Sequence, residues 1–166
     1  SDEFKGAKVP TLEEVFETFG HDINYKIEIK HPQIYVGIEE KLLRLLDKYH
    51  LTGNVAAKGK VIIQSFDEDS LKKIHGIDDS FPLIQLMRKN EMDKYNLEEV
   101  KEYAIGVGPN HIAIDKTFIQ RARNLGLLVH PFTINDIETI NRLKKQGITS
   151  VITDDLKLIG KIEDLK

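Results

Sequence analysis

Hydrophobic positions along the chain switch between two spacings. Val15, Phe16 and Phe19 fall on one helical face of the segment after Pro10. Thr11, with Glu14 three residues later, fits a capping box at its start, and Gly20 fits its stop. Asn24–Lys30 then alternates polar and apolar with period two and reads as a strand. From about Val36 to Tyr49 helical spacing returns through Ile38, Leu42, Leu45, Leu46 and Tyr49. The exchange repeats with a β-branched strand over Lys60–Phe66 and a helix after Asp67 and Asp69, both candidate caps. Phe81–Met87 is a further strand, and Asn96 with Glu99 opens a helix through LEEVKEYA. Ala104–Val107 reads as a strand ending in Gly108-Pro109. Asp115 caps a helix carrying Phe118, Ala122 and Leu125 on one face, with Gly126 as its stop. Leu127–Val129 leads into His130-Pro131-Phe132, and Asn135 with Glu138 caps another helix closed by Gly147. Ser150–Thr153 is the last strand, and Asp155 starts a terminal helix.

The pattern predicts six strands, each followed by a helix, the last five recurring roughly every 22 residues, the length of one βα unit with short loops. The strand cores VII, LI, AIGV, LLV and VI are near-continuous apolar runs, as strands covered on both faces should be. This is an α/β chain with a parallel sheet and crossover helices, in one domain without a linker. A doubly wound nucleotide-binding sheet is disfavoured: the first strand runs into Lys30-His31-Pro32 with no glycine turn. Gly106-Val107-Gly108 lacks the third glycine of that motif, since position 111 is His, and reads as a strand end with a tight turn. A (β/α) barrel remains, with its chemistry at the C-terminal ends of the strands. Such a barrel takes ~250 residues, and ~200 at minimum; this chain has 166.

Composition narrows the chemistry. The chain has no Cys, which excludes a disulfide framework, thiolate metal sites and a cysteine nucleophile. A net charge of -3 leaves no basic footprint for nucleic acid. No apolar run approaches the ~18 residues of a membrane span, and the opening SDEFKGAKVP has no signal-peptide pattern.

Candidate site residues cluster at predicted strand ends. Glu28 and Lys30 share parity, opposite Ile27 and Ile29, so a carboxylate and an ammonium stand on one strand face. A hard cation beside a phosphate-binding lysine is one reading; a solvated strand end or a structural ion pair is the other. Gln64, Ser65, Phe66 and Gln85 fit either a polar barrel mouth or backbone satisfaction at strand ends. The six histidines, His21, His31, His50, His75, His111 and His130, show no zinc spacing. His31 adjoins Lys30. His130 and Phe132 share a face, where Phe132 is either a wall for a small organic group or core. Asp154 and Asp155 fit metal ligation or helix capping.

Together these residues resemble the glycerophosphodiester phosphodiesterase family. The matching segments are Val9-Pro10-Thr11-Leu12-Glu13-Glu14-Val15, Ile27-Glu28-Ile29-Lys30 and Val61-Ile62-Ile63-Gln64-Ser65-Phe66-Asp67, followed by Val129-His130-Pro131-Phe132-Thr133-Ile134-Asn135 and Gly147-Ile148-Thr149-Ser150-Val151-Ile152-Thr153-Asp154. They occur in the family's order across nearly the whole chain. The resemblance implies a TIM (β/α)8 barrel that hydrolyses glycerophosphodiesters to sn-glycerol 3-phosphate and an alcohol with one divalent cation, Ca²⁺ or Mg²⁺. It implies Glu28 as a metal ligand, Lys30 as a phosphate contact and Phe132, where the family usually has Trp, as the aromatic border of the glycerol pocket.

The family's first strand carries His-Arg-Gly, its second Glu-x-Asp, and an inserted loop His-Asp. These supply the acid and base histidines, a substrate arginine and two of three protein metal ligands. No His-Arg-Gly, no acidic Glu-x-Asp strand and no matching His-Asp segment occurs in this chain, which begins about where the family's third βα unit begins. The resemblance therefore puts the acid and base histidine pair upstream of Ser1. The expectation is a chain holding about six C-terminal βα units, with no catalytic histidine of its own and inactive alone. Either residues preceding Ser1 or a second chain or copy would complete the barrel. The alternatives are a non-catalytic phosphate- or lipid-headgroup-binding remnant and an unrelated barrel enzyme. The resemblance points to a bacterial protein, extracellular or cytoplasmic.

Overall fold

Local capping and strand alternation set out a sheet wrapped by helices, in a computed structural model that describes residues 5–161. Ser1, the residue from which the upstream histidine pair was placed, lies outside the described residues, so that expectation has no structural counterpart and stays a proposal. The next three residues of the polar opening segment lie outside them too. Thr11 caps α1 (Leu12–Phe19) in a full capping box with Glu14, and Gly20 ends it. There follow β1 (Tyr25–Ile29), α2 (Ile38–Lys48), β2 (Val61–Ser65), α3 (Glu68–Ile77), β3 (Leu83–Met87), α4 (Leu97–Val100), β4 (Gly106–Pro109), α5 (Lys116–Asn124), β5 (Leu128–Val129) and α6 (Ile137–Lys144). Asp67 caps α3 by accepting from the Ser70 N–H, and Asp115 caps α5 by accepting from that of Phe118.

The five strands are parallel and pair in chain order, β1-β2-β3-β4-β5. Alternation divides their side chains between two faces. Val61, Ile63, Leu83, Met87, Val107 and Val129 join Leu46, Leu71, Ile74, Ile119, Ile140 and Leu143 of the helices in one core, all buried. Full burial of each such side chain stabilises the fold by about 1.5–3 kcal/mol. The opposite face carries Lys26, Glu28, Ile62, Gln64, Ile84, Leu86, Gly106, Gly108, Leu128 and His130. Ile84 and Leu86 are buried there, outside the helix-side core. Gly106 and Gly108 leave room for them: a Cβ at Gly108 would meet Leu86 Cδ2 at 2.6 Å, and one at Gly106 would meet the Leu128 carbonyl oxygen at 2.7 Å.

The sheet curls strongly about this second face. Four interstrand spacings separate β1 from β5, ~19 Å if the sheet were flat. Yet Lys26 Nζ lies 3.0 Å from His130 Nδ1. The pairing register carries His130 through Gly108, Leu86 and Phe66 to the level of Lys30, four residues beyond Lys26. A drift of one residue per strand accounts for the offset, and this is the stagger of an eight-stranded barrel with shear 8. The concave side chains then form levels drawn from alternate strands. Lys26, Ile84 and His130 make the lowest polar level, Gln64 and Gly108 the next, and Glu28, Leu86 and Phe132 the one above.

Five expectations differ from the structure. The segment 150–153 is extended beside β5 without forming a strand. Pro131 has no N–H to offer a ladder, and the Thr149 hydroxyl accepts from the Val129 N–H, so the backbone bonds that remain, from Thr149 N–H to the Val129 carbonyl, Ile152 N–H to the Pro131 carbonyl and Ile134 N–H to the Ile152 carbonyl, are irregularly spaced. The cap of α6 is Asp136, which accepts from the Thr139 N–H; the Asn135 side chain instead holds Thr153 and Asp154. Helix α4 stops after four residues, and β4 starts two residues later than the pattern suggests. The terminal segment after Asp155 is a 3₁₀ turn, Leu156–Lys161.

Candidate active site at the strand ends

The C-terminal ends of β1, β2 and β3 open into a cleft bordered by Lys30, His31, Phe66, Asp67 and Arg88. Lys30 follows β1 directly, and the chain turns away through His31 at φ 52° and Pro32. Lys30 is exposed and has no side-chain partner among the described residues. Glu28 lies on the same strand face, also exposed and also unpartnered. The two charges share a face, as their parity requires, and do not pair with each other.

Phe132 borders this region from the far side. Its ring meets Phe66 edge to face, with centroids 5.6 Å apart at 89°. The Arg88 guanidinium sits 4.2 Å from the Phe66 centroid and pairs with Glu91 at 3.1 Å. Arg88 was not singled out by the sequence, although it shares parity with Ile84 and Leu86. Lys26 was also missed, although it completes a run of three charges on one face of β1.

His130 is buried below Phe132. Lys26 donates to its Nδ1, so the ring is neutral with its proton on Nε2. Burial first, and the Lys26 charge second, push the His130 pKa down to about 3. Burial pushes the Lys26 pKa down to about 8, even though the residue as a whole keeps an exposed surface on the open side of the sheet.

The remaining polar candidates divide. Ser65 Oγ donates to the Ile29 carbonyl and accepts from the Asp67 N–H, which is a strand-end task. Gln85 faces the helices, fully buried, donating to the Leu86 and Ser65 carbonyls and accepting from Tyr103 Oη at 2.9 Å. Gln64 faces the concave side, 8% exposed, and its Oε1 has no partner. Asp154 accepts from Asn135 Nδ2, and Asp155 accepts from the Lys157 N–H, so both serve the loop after residue 153.

The chemistry of Glu28 suits a hard divalent cation, which takes carboxylate oxygen. Six or more oxygens surround such an ion, and among the described residues no three His, Asp or Glu side chains converge on one point. Glu28 therefore fits as one ligand of a set completed from elsewhere.

The family model for the glycerophosphoryl diester phosphodiesterase family matches residues 1–158. The chain belongs to that family. It is 42% identical over 164 residues to a glycerophosphodiester phosphodiesterase of Bacillus subtilis, covering 97% of this chain and 56% of that protein. A glycerophosphodiester phosphodiesterase of Caldanaerobacter subterraneus is 29% identical, over 93% of this chain and 61% of its own length. The chain thus spans little more than half of these relatives. Among solved structures, an Oleispira antarctica phosphodiesterase in complex with the product sn-glycerol-3-phosphate superposes with TM-score 0.79 at 18% identity, over 96% of this chain and 63% of that one. The glycerophosphodiester phosphodiesterase of Thermotoga maritima gives 0.72 at 22% identity, over 98% and 67%. This family member therefore shares the α/β barrel class of these enzymes, with a parallel sheet.

Proposed function

We propose that the intact protein hydrolyses glycerophosphodiesters to sn-glycerol 3-phosphate and an alcohol, and that this chain supplies about six C-terminal βα units of its barrel. The observation that carries the reading is the pair Glu28 and Lys30: two unpartnered, opposite charges on one strand face at the mouth of a curled parallel sheet, in the family's motif. The product bound to the Oleispira relative fits the same substrate class.

Lys30 meets the phosphate as a fixed point charge, and Phe132, braced by Phe66, borders the glycerol carbons. Glu28 holds the divalent cation together with ligands outside this chain. When bound, that ion offsets the charge that develops on the phosphoryl oxygens. Attack on a phosphodiester also needs a proton acceptor and a proton donor near neutral pH. His130 does not serve, because Lys26 occupies its Nδ1 and burial lowers its pKa to about 3, too low to accept a proton near neutral pH. The acid and base histidines therefore come from a segment preceding Ser1, or from a second chain or copy. The chain alone binds and does not turn over. The completing segment covers the open edge of β1, where Leu12, Ile27, Ile38 and Leu42 border an apolar groove.

Calorimetric titration of sn-glycerol 3-phosphate and Ca²⁺ into the full chain tests the assignments, with hydrolysis of glycerophosphocholine followed in parallel. Binding without turnover, with phosphate affinity lost in Lys30→Met and cation affinity lost in Glu28→Gln, is expected. Turnover by this chain alone, or unchanged binding in both variants, would overturn the reading. A phosphate- or headgroup-binding unit without catalysis shares these binding results. It differs in predicting no hydrolysis from the protein extended upstream.

A further inference from the structure

Lys30 and Arg88, each the first residue after its strand, line one cleft together with His31, Phe66 and Asp67. Phe132, the border of the glycerol carbons, is not among the residues that line it; Phe132 meets the Phe66 ring edge to face instead. A phosphodiester held at Lys30 with its glycerol against Phe132 still has its second ester arm to place. The cleft is the concave space that Lys30 opens into, so it is where the alcohol arm goes.

The charges of this cleft favour an anion. The Arg88 guanidinium is half-exposed and pairs with Glu91 through Nη1 alone, which leaves Nη2 with no partner among the described residues. Glu91 shares its carboxylate with Lys94 and does not line the cleft. The carboxylate that does, Asp67, is engaged by the Ser70 N–H as the cap of α3. An ammonium headgroup would seek the Phe66 ring, within about 6 Å of its centroid. Arg88 is already there, 4.2 Å from that centroid, and a second cation on the same ring meets its charge. A carboxylate instead meets the planar fork of the same guanidinium. We propose that this cleft takes the alcohol half of the substrate, and that Arg88 selects an alcohol carrying a carboxylate over one carrying only an ammonium. This rests on the phosphate assignment of Lys30 above.

Glycerophosphoserine and glycerophosphoethanolamine differ by a single carboxylate, so calorimetric titration of both into the full chain reads that group directly. The wild type is expected to bind the serine ester about tenfold tighter, the worth of one charge-assisted hydrogen bond at a half-exposed site. Glycerophosphocholine should bind no better than the ethanolamine ester. Arg88→Gln should bring the serine-to-ethanolamine ratio near one. Arg88→Lys should keep only part of the preference, because a point charge lacks the fork. The wild-type comparison does not depend on how either variant folds. Equal wild-type affinity for the serine and ethanolamine esters, tighter binding of the choline ester than of the ethanolamine ester, or an unchanged ratio in a folded Arg88→Gln would overturn this inference and leave Lys30 standing. Failure of sn-glycerol 3-phosphate and of all these diesters to bind would overturn the phosphate assignment and this inference with it.

Discussion

Lys26 donates to His130 Nδ1 at 3.0 Å across the concave face, joining the first strand to the residue after the last. An ammonium held against an imidazole keeps that ring uncharged, and the contact closes the sheet's curl. It also sets a polar floor two levels below Glu28.

Acid stability should report this pair. The His130 pKa is depressed in the fold to about 3 from the ordinary 6.5. The unfolded chain therefore binds more protons between these values, and stability falls as pH drops through that window. His130→Asn retains an acceptor for Lys26 without a titrating ring. Urea unfolding should show the wild type losing stability relative to this variant, progressively, from about pH 6.5 toward 3. Parallel pH profiles would refute the assignment.

The two glycines of β4 should differ in cost. A Cβ at Gly106 meets a backbone oxygen and Leu128 Cβ, which cannot move aside, whereas one at Gly108 meets the flexible end of Leu86 first. Gly106→Ala should destabilise by about 2–3 kcal/mol and Gly108→Ala by about 1 kcal/mol. Combining Gly108→Ala with Leu86→Ala should show favourable coupling in denaturant titrations.

Gln85 and Tyr103 form a buried polar pair at 2.9 Å. Gln85→Leu should cost about 2 kcal/mol, because it strands the tyrosine hydroxyl and leaves the Leu86 and Ser65 carbonyls short of a donor. Adding Tyr103→Phe should cost less than the sum of the single changes in a thermal-unfolding cycle.

Charge removal at the mouth should separate binding from folding. Glu28 and Lys30 are exposed and unpartnered. Glu28→Gln and Lys30→Met should shift the urea midpoint by less than about 0.5 kcal/mol equivalent while abolishing Ca²⁺ and phosphate binding respectively. A large stability loss in either would show a structural role.

The sequence carried the elements wherever local chemistry decides them. Thr11 and Glu14 announce α1, Asp67 and Asp115 announce the caps of α3 and α5, and the alternation of Tyr25–Ile29 announces β1 and its charged face. It failed where the deciding partner is distant. The Ser150–Thr153 segment has strand composition, but Pro131 lacks an N–H and the Val129 N–H goes to the Thr149 hydroxyl, so its backbone bonds to the facing segment form no regular ladder. Asn135 and Asp136 are both good caps, and only the contact of Asn135 with Thr153 and Asp154 assigns the role to its neighbour. At the site, parity placed Glu28, Lys30 and Phe132, whereas the partnership of Lys26 with His130 depends on the stagger accumulated over four strand pairings. Gln64 and Gln85 look alike in sequence, and one residue of parity sends them to opposite faces.

Strand order that follows chain order has a kinetic meaning. Every ladder in this sheet joins neighbours in the chain, so each pairing closes a short loop, and such contacts form quickly. The Lys26–His130 contact closes a loop of |i−j| = 104, which carries more closure entropy than any ladder. The curl is therefore the last feature gained in folding and the first surrendered. A partial opening that flattens the sheet while its strand pairs persist should expose the Lys26 and His130 side chains and leave the amides of the ladders protected.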